Sequence, residues 1–147
     1  MKHTTLFFST LLIAILCIAC GESVYKDIKG KYTVVQEQIY FVKDNVITQT
    51  FEPEEVAIED AYIYDFSKAG KVFISNVADG FNWEFDLTKD NSNLYLSNVN
   101  GDAEDDELSY SWDGEKLILT RNTEDADPDD DNSSIIVRSV YILEMMK

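Results

Sequence analysis

Histidine and cysteine are almost missing from this chain. Its one histidine is His3 and its two cysteines are Cys17 and Cys20, all within the first twenty residues. Beyond Cys20 there is no imidazole to act as a base near neutral pH and no thiolate. Nucleophilic sites of the Cys/His or Ser/His/Asp kind and ordinary zinc sites are therefore excluded there. Positive charge is scarce as well: 12 Lys and Arg stand against 28 Asp and Glu, for a formal net charge of −16. Nucleic-acid binding relies on clustered basic side chains that release counterions, so this balance excludes nucleic acid as a partner. It favours cations or basic proteins instead. With no disulfide possible after Cys20, the packing of Phe, Tyr and Trp side chains must suffice to hold a single domain.

Long apolar runs are missing except at the N-terminus. Lys2 and His3 open the chain, and Leu6 to Ala19 is apolar apart from Ser9 and Thr10. That run is too short to cross a bilayer comfortably and matches the core of a signal peptide. Residues 1–19 are expected to be removed. Residues 20–29 are expected to form a lipidated cysteine and a polar tether, which reaches roughly 30 Å if extended. Leu16-Cys17-Ile18-Ala19-Cys20 resembles the lipobox of bacterial lipoproteins, in which a small residue precedes a cysteine acylated before cleavage. The resemblance implies lipidation at Cys20, with this anchor as the contact with the membrane. Gly21 follows the cysteine in place of the Asp associated with inner-membrane retention, so the outer membrane is the expected location, on its periplasmic or its cell-surface face. Loss of Lys2 takes the formal charge from −16 to −17.

Apolar stripes at helical spacing are also lacking. From Gly30 onward the dominant period is two, the signature of half-buried strands. Nine strands are expected, at 31–42, 46–51, 61–66, 71–78, 81–88, 93–99, 108–112, 115–121 and 134–145. Asp79-Gly80 and Asp113-Gly114 supply the positive φ angles of tight hairpins. Lys43-Asp44-Asn45, Ser67-Lys68-Ala69-Gly70 and Lys89-Asp90-Asn91-Ser92 are further turn signals. Faces follow from the alternation. Phe81, Trp83, Phe85 and Leu87 share one side of their strand, opposite Asn82, Glu84, Asp86 and Thr88, so a one-residue slip would bury charge. Tyr62, Tyr64 and Phe66 repeat the pattern, as do Leu108, Tyr110 and Trp112, Tyr32 with Val34, and Leu117 with Leu119. Such a meander removes its exposed edges by closing on itself.

Gly30-Lys31-Tyr32 at the start of the first strand is similar to the Gly-x-Trp opening of lipocalins. Tyr64 to Val72 and Tyr110 to Leu117 resemble hairpins of the small lipocalin-like lipoproteins of bacteria. The expected fold is all-β, an up-and-down antiparallel meander of eight to nine strands closing into a lipocalin-like barrel over residues 30–147. The resemblance implies a calyx that holds a small apolar ligand, with a filled interior as the alternative. Trp83, Trp112, Tyr64, Phe85 and Tyr110 are the candidate ligand-binding residues.

Three acidic stretches remain, at residues 52–60, 102–107 and 124–131. Counting nine alternating strands puts all three at one pole and the turns at 43–45, 67–70, 89–92 and 113–114 at the other. Asp125, Asp127 and Asp129 have the alternating oxygens of a calcium loop, but Asp130 stands where an EF-hand requires Gly and Ile136 where it requires Glu. A looser Ca²⁺ site and solvated loops are both open. A general acid/base pair needs two carboxylates at fixed separation on rigid elements. Glu84 and Asp86 sit on the polar face of a strand and most other acids in loops, so the chain is expected to be a non-enzyme and to act as a monomer. A basic protein, such as an enzyme that the chain would inhibit, is the alternative partner to a small ligand. Cys20→Ser is expected to release the protein from membranes in cell fractionation without loss of the folded domain; a variant that stays membrane-bound with normal processing would overturn the lipobox reading.

Overall fold

The computed structural model describes residues 28–147 apart from residues 77, 102 and 129, and of residues 130–132 the backbone alone. Cys20, the segment 1–19 and most of the tether lie outside the described residues. Ten strands follow one another: β1 (Lys31–Lys43), β2 (Val46–Thr50), β3 (Glu54–Glu55), β4 (Tyr62–Asp65), β5 (Lys71–Asn76), β6 (Phe81–Lys89), β7 (Asn93–Asn98), β8 (Asp106–Asp113), β9 (Lys116–Asp127) and β10 (Asp130–Met145). All the pairings between them are antiparallel.

The sheet closes into a barrel. Its wall is the eight-stranded ring β1-β4-β5-β6-β7-β8-β9-β10, sealed by β10 returning to β1 from Tyr32↔Met145 to Val42↔Ile136. The number eight has a simple cause. A nine-strand meander would bring its first and last strands together parallel, whereas antiparallel closure needs an even count. The chain meets that condition by running β2, β3 and β4 in the same direction along one edge of β1. They pair with residues 40–43, 36–37 and 31–33 of β1 in turn. Pro53, which has no N–H to give a ladder, lies at the break between β2 and β3. Backbone bonds from Phe51 N to Ile39 O (3.0 Å) and from Val56 N to Val35 O (3.1 Å) hold the chain to β1 on either side of it.

This arrangement corrects the expected placement of the acidic stretches. Glu54 and Glu55 pair with Glu37 and Gln36 in the side wall, so residues 52–56 of that stretch run along β1 instead of capping a pole. The turn at Asp44 and Asn45 falls at the same end as the 99–105 connection. The third acidic stretch is not a loop either, since β9 continues through Glu124 and Asp125, which pair with Ile136 and Ile135. The β-branched residues of β10 carry that ladder outward while the side chains of Glu124 and Asp125 stay in solvent.

The turns are those the sequence marked. Asp44 and Asn45 both have positive φ (52° and 63°), as a type I′ hairpin requires, and Gly114 (61°) takes the one such position between β8 and β9. Strand β5 stops at Asn76, earlier than expected, because the buried Asn76 side chain is drawn into the turn. It accepts a bond from Asp79 N (2.9 Å) and donates one to Asp60 O (2.7 Å).

One end of the barrel is filled. Tyr32, Val72, Leu94, Leu96, Leu108, Leu117, Leu119 and Leu143 are essentially fully buried, each side chain of this size contributing about 1.5–3 kcal/mol relative to exposure. Where β1 begins, Tyr32 meets Phe66 (6.1 Å between centroids) and Trp112 (6.2 Å) edge to face, and Tyr64 stacks on Phe66 at 6.3 Å. Among the described residues, the closed ring and its core span Ile28 to Met145.

Candidate functional site

Towards the opposite end, below the 99–105 connection, the packed interior gives way to a cavity of about 380 Å³. The alternating faces of β4, β5 and β6 supply its apolar wall: Tyr64, Ile74, Trp83 and Phe85. Phe81 stacks on Trp83 with centroids 4.1 Å apart and planes 13° from parallel. The facing wall is polar. Glu37 comes from β1, Asp106 from the start of β8, Arg121 from β9 and Tyr141 from β10, with Tyr62, Ala103 and Glu104 completing the lining.

Each polar residue reaches the cavity by parity. Arg121 stands two and four residues beyond Leu119 and Leu117, and Asp106 two before Leu108, so both continue faces whose lower members are core. Tyr141 is likewise two before Leu143. Glu37 is the exception. A bulge between Val34 and Gln36 inserts one residue, so that Glu37, not Gln36, stands opposite Tyr141 and faces inward.

The electrostatics of this wall are unequal. Arg121 Nε lies 3.0 Å from Asp106 Oδ2 and 3.2 Å from Oδ1, an ion pair that answers one carboxylate. Glu37 has no ion pair among the described residues. Burial pushes its carboxyl above the usual range and the neighbouring Glu54 adds to that, opposed by a hydrogen bond from Tyr141. Burial also raises Asp106, against the pull of the Arg121 charge. Burial raises the phenols of Tyr64 and Tyr141, which keeps both neutral donors at ordinary pH.

Of the expected ligand residues, Tyr64, Trp83 and Phe85 line this cavity. Trp112 and Tyr110 do not. Trp112 packs on Tyr32 at the filled end with 39% of its surface exposed. The Tyr110 hydroxyl accepts a bond from Lys89 Nζ at 3.1 Å, the ammonium lying 4.9 Å from the ring centroid. Among the calcium candidates, Asp127 is buried and bonded to Lys43 Nζ (2.6 Å) and Ser133 Oγ (3.1 Å), Asp125 is exposed, and Asp129 lies outside the described residues. No group of three or more His, Cys, Asp or Glu side chains among the described residues is placed to hold a metal ion. Glu84 and Asp86 face outward, where Lys71 bridges them at 2.8 and 2.7 Å.

Sequence reasoning missed Glu37, Asp106, Arg121 and Tyr141. A charge at the end of an apolar face was a usable signal for Asp106 and Arg121. For Glu37 there was none, because nothing in Val34-Val35-Gln36 announces the bulge.

The raised carboxyl of Glu37 has a consequence for stability. Between the ordinary carboxylate range and its folded value the folded state binds more protons than the unfolded one, so stability falls as pH rises through that window. Glu37→Gln is therefore expected to raise the Tm near neutral pH, the gain shrinking towards about pH 3, where Glu37 is protonated in both states. A Tm difference that does not vary with pH would contradict a desolvated Glu37. No family model, curated protein or solved structure matches this chain, so the functional reading rests on the geometry of the mouth.

Proposed function

We propose that this chain is a non-enzymatic, lipid-anchored barrel of the bacterial cell envelope that holds a small molecule in its mouth. The observation that carries this reading is the cavity itself. Its volume of about 380 Å³ falls within the roughly 300–1,000 Å³ of small-molecule sites, which combine an apolar lining with a few placed polar groups. Trp83, Tyr64 and Phe85 offer flat apolar surface, while Glu37, Arg121 and the two phenols offer orientation. Support for the anchor is the sequence around Cys20, and Gly21 after it, in place of an inner-membrane retention Asp, supports the outer membrane. The basic-protein alternative has the net charge behind it, a field that steers encounter without fixing a partner. The small-molecule reading has a defined volume and lining.

Residues from Gly21 onward, without the apolar leader, suit the test. The neutral probe 1-N-phenylnaphthylamine is expected to brighten on titration with saturable, single-site behaviour, and Trp83→Ala is expected to weaken that binding by about tenfold or more while melting cooperatively. Absence of a saturable signal from the wild-type protein would overturn the reading.

A further inference from the structure

We infer that the mouth selects an organic cation, an amine carried on an aromatic or apolar body, with its ammonium set against Glu37 and its body against the Trp83 face. This rests on the small-molecule reading above and adds the chemical class of the ligand.

The charge inventory of the cavity leads there. Among the described residues three carboxylates line it, Glu37, Glu104 and Asp106, against one cation, Arg121. That cation is already committed through Nε to Asp106. An anion entering to reach the remaining guanidinium nitrogens would have to approach Glu37 and Glu104 and compete with Asp106. A cation meets the reverse situation.

Glu37 is the centre of the site. It is half-buried, its ion-pairing capacity is unused among the described residues, and Glu54 beside it in the sheet reinforces the negative potential. A carboxylate withdrawn from water loses hydration that an ammonium at hydrogen-bond distance would replace with a charge-assisted bond. The aromatic wall adds a second recognition element. Trp83, held by its stack on Phe81, and Tyr64 present π faces that attract an ammonium electrostatically and bury the apolar body that carries it. Carboxylate and indole thus act on the two ends of one amphipathic cation. The acidity of the whole chain, −16 formally, raises the local concentration of such a ligand at low salt.

Three ligands with the same indole body separate charge from shape: tryptamine (cationic), N-acetyltryptamine (neutral) and indole-3-propionate (anionic). Each is titrated calorimetrically into the chain from Gly21, in wild type and in Glu37→Gln, with 1-N-phenylnaphthylamine titrated in parallel. The expected result is that tryptamine binds the wild type about tenfold or more tighter than either relative. In Glu37→Gln that preference is lost, tryptamine binding no tighter than N-acetyltryptamine, while the variant still melts cooperatively. Equal affinities across the three, tighter binding of indole-3-propionate, or a tryptamine preference that survives Glu37→Gln would overturn the inference. If 1-N-phenylnaphthylamine binds but the indoles show no preference for the cation, the cavity reading stands and only the ligand class falls. If no probe binds, both fall.

Discussion

The pairing of β10 with β1 is the constraint on which everything else in this molecule depends. It joins ten residue pairs between the first and last long strands of the described chain, and it converts a meander with two open edges into a wall around an interior. The opposite edge of β1 is served piecewise by β2, β3 and β4, so that one strand is held from both sides along most of its length. The bulge within β1 is the second half of this device. By inserting one residue after Val34 it turns Glu37 inward without disturbing Tyr32 or Val34 beneath it.

The two ends of the barrel then do different physical work. At the end where β1 begins, leucines and a cluster of aromatic rings fill the interior to the exclusion of water, and the stability of a disulfide-free domain comes from there. At the other end the same strands continue with charged and phenolic side chains on their inner faces, and the packing stops. The cost of this change falls on Glu37, which gives up hydration without an ion pair among the described residues in return. Removing its charge is expected to strengthen the fold and to abolish cation selectivity. A stabilising substitution that loses binding separates a functional role from a structural one, because a damaged fold would lose both.

Much of the fold could be read from the residues themselves. Alternation in Phe81-Asn82-Trp83-Glu84-Phe85-Asp86-Leu87 gave both strand and face, and Asp-Asn and Asp-Gly pairs marked reversals that the backbone dihedrals show. The ring count was not legible, since whether residues 46–65 make two walls or one interrupted wall depends on pairing with β1, a long-range property that Pro53 only hints at. The reach of β9 and β10 into the acidic stretch was hidden for a similar reason. Charged residues read as loop, but a partner strand rich in Ile and Val holds them in a ladder. At the site, the aromatic wall was visible as the apolar face of β6 and β4, whereas Trp112 and Tyr110, on an equally regular face, fell at the filled end because parity says which side a residue takes and not how deep it lies. The polar wall comes from strands far apart in sequence, and its key carboxylate is set by a bulge.

Closure and the bulge register can be measured together. Cross-strand nuclear Overhauser effects between β1 and β10, recorded on the chain from Gly21, are expected for Val34 with Leu143 and for Glu37 with Tyr141, with the β1 amides slow to exchange. A rapidly exchanging β1 with no contact to β10, or a register that sets Gln36 opposite Tyr141, would contradict a closed barrel with Glu37 in its mouth.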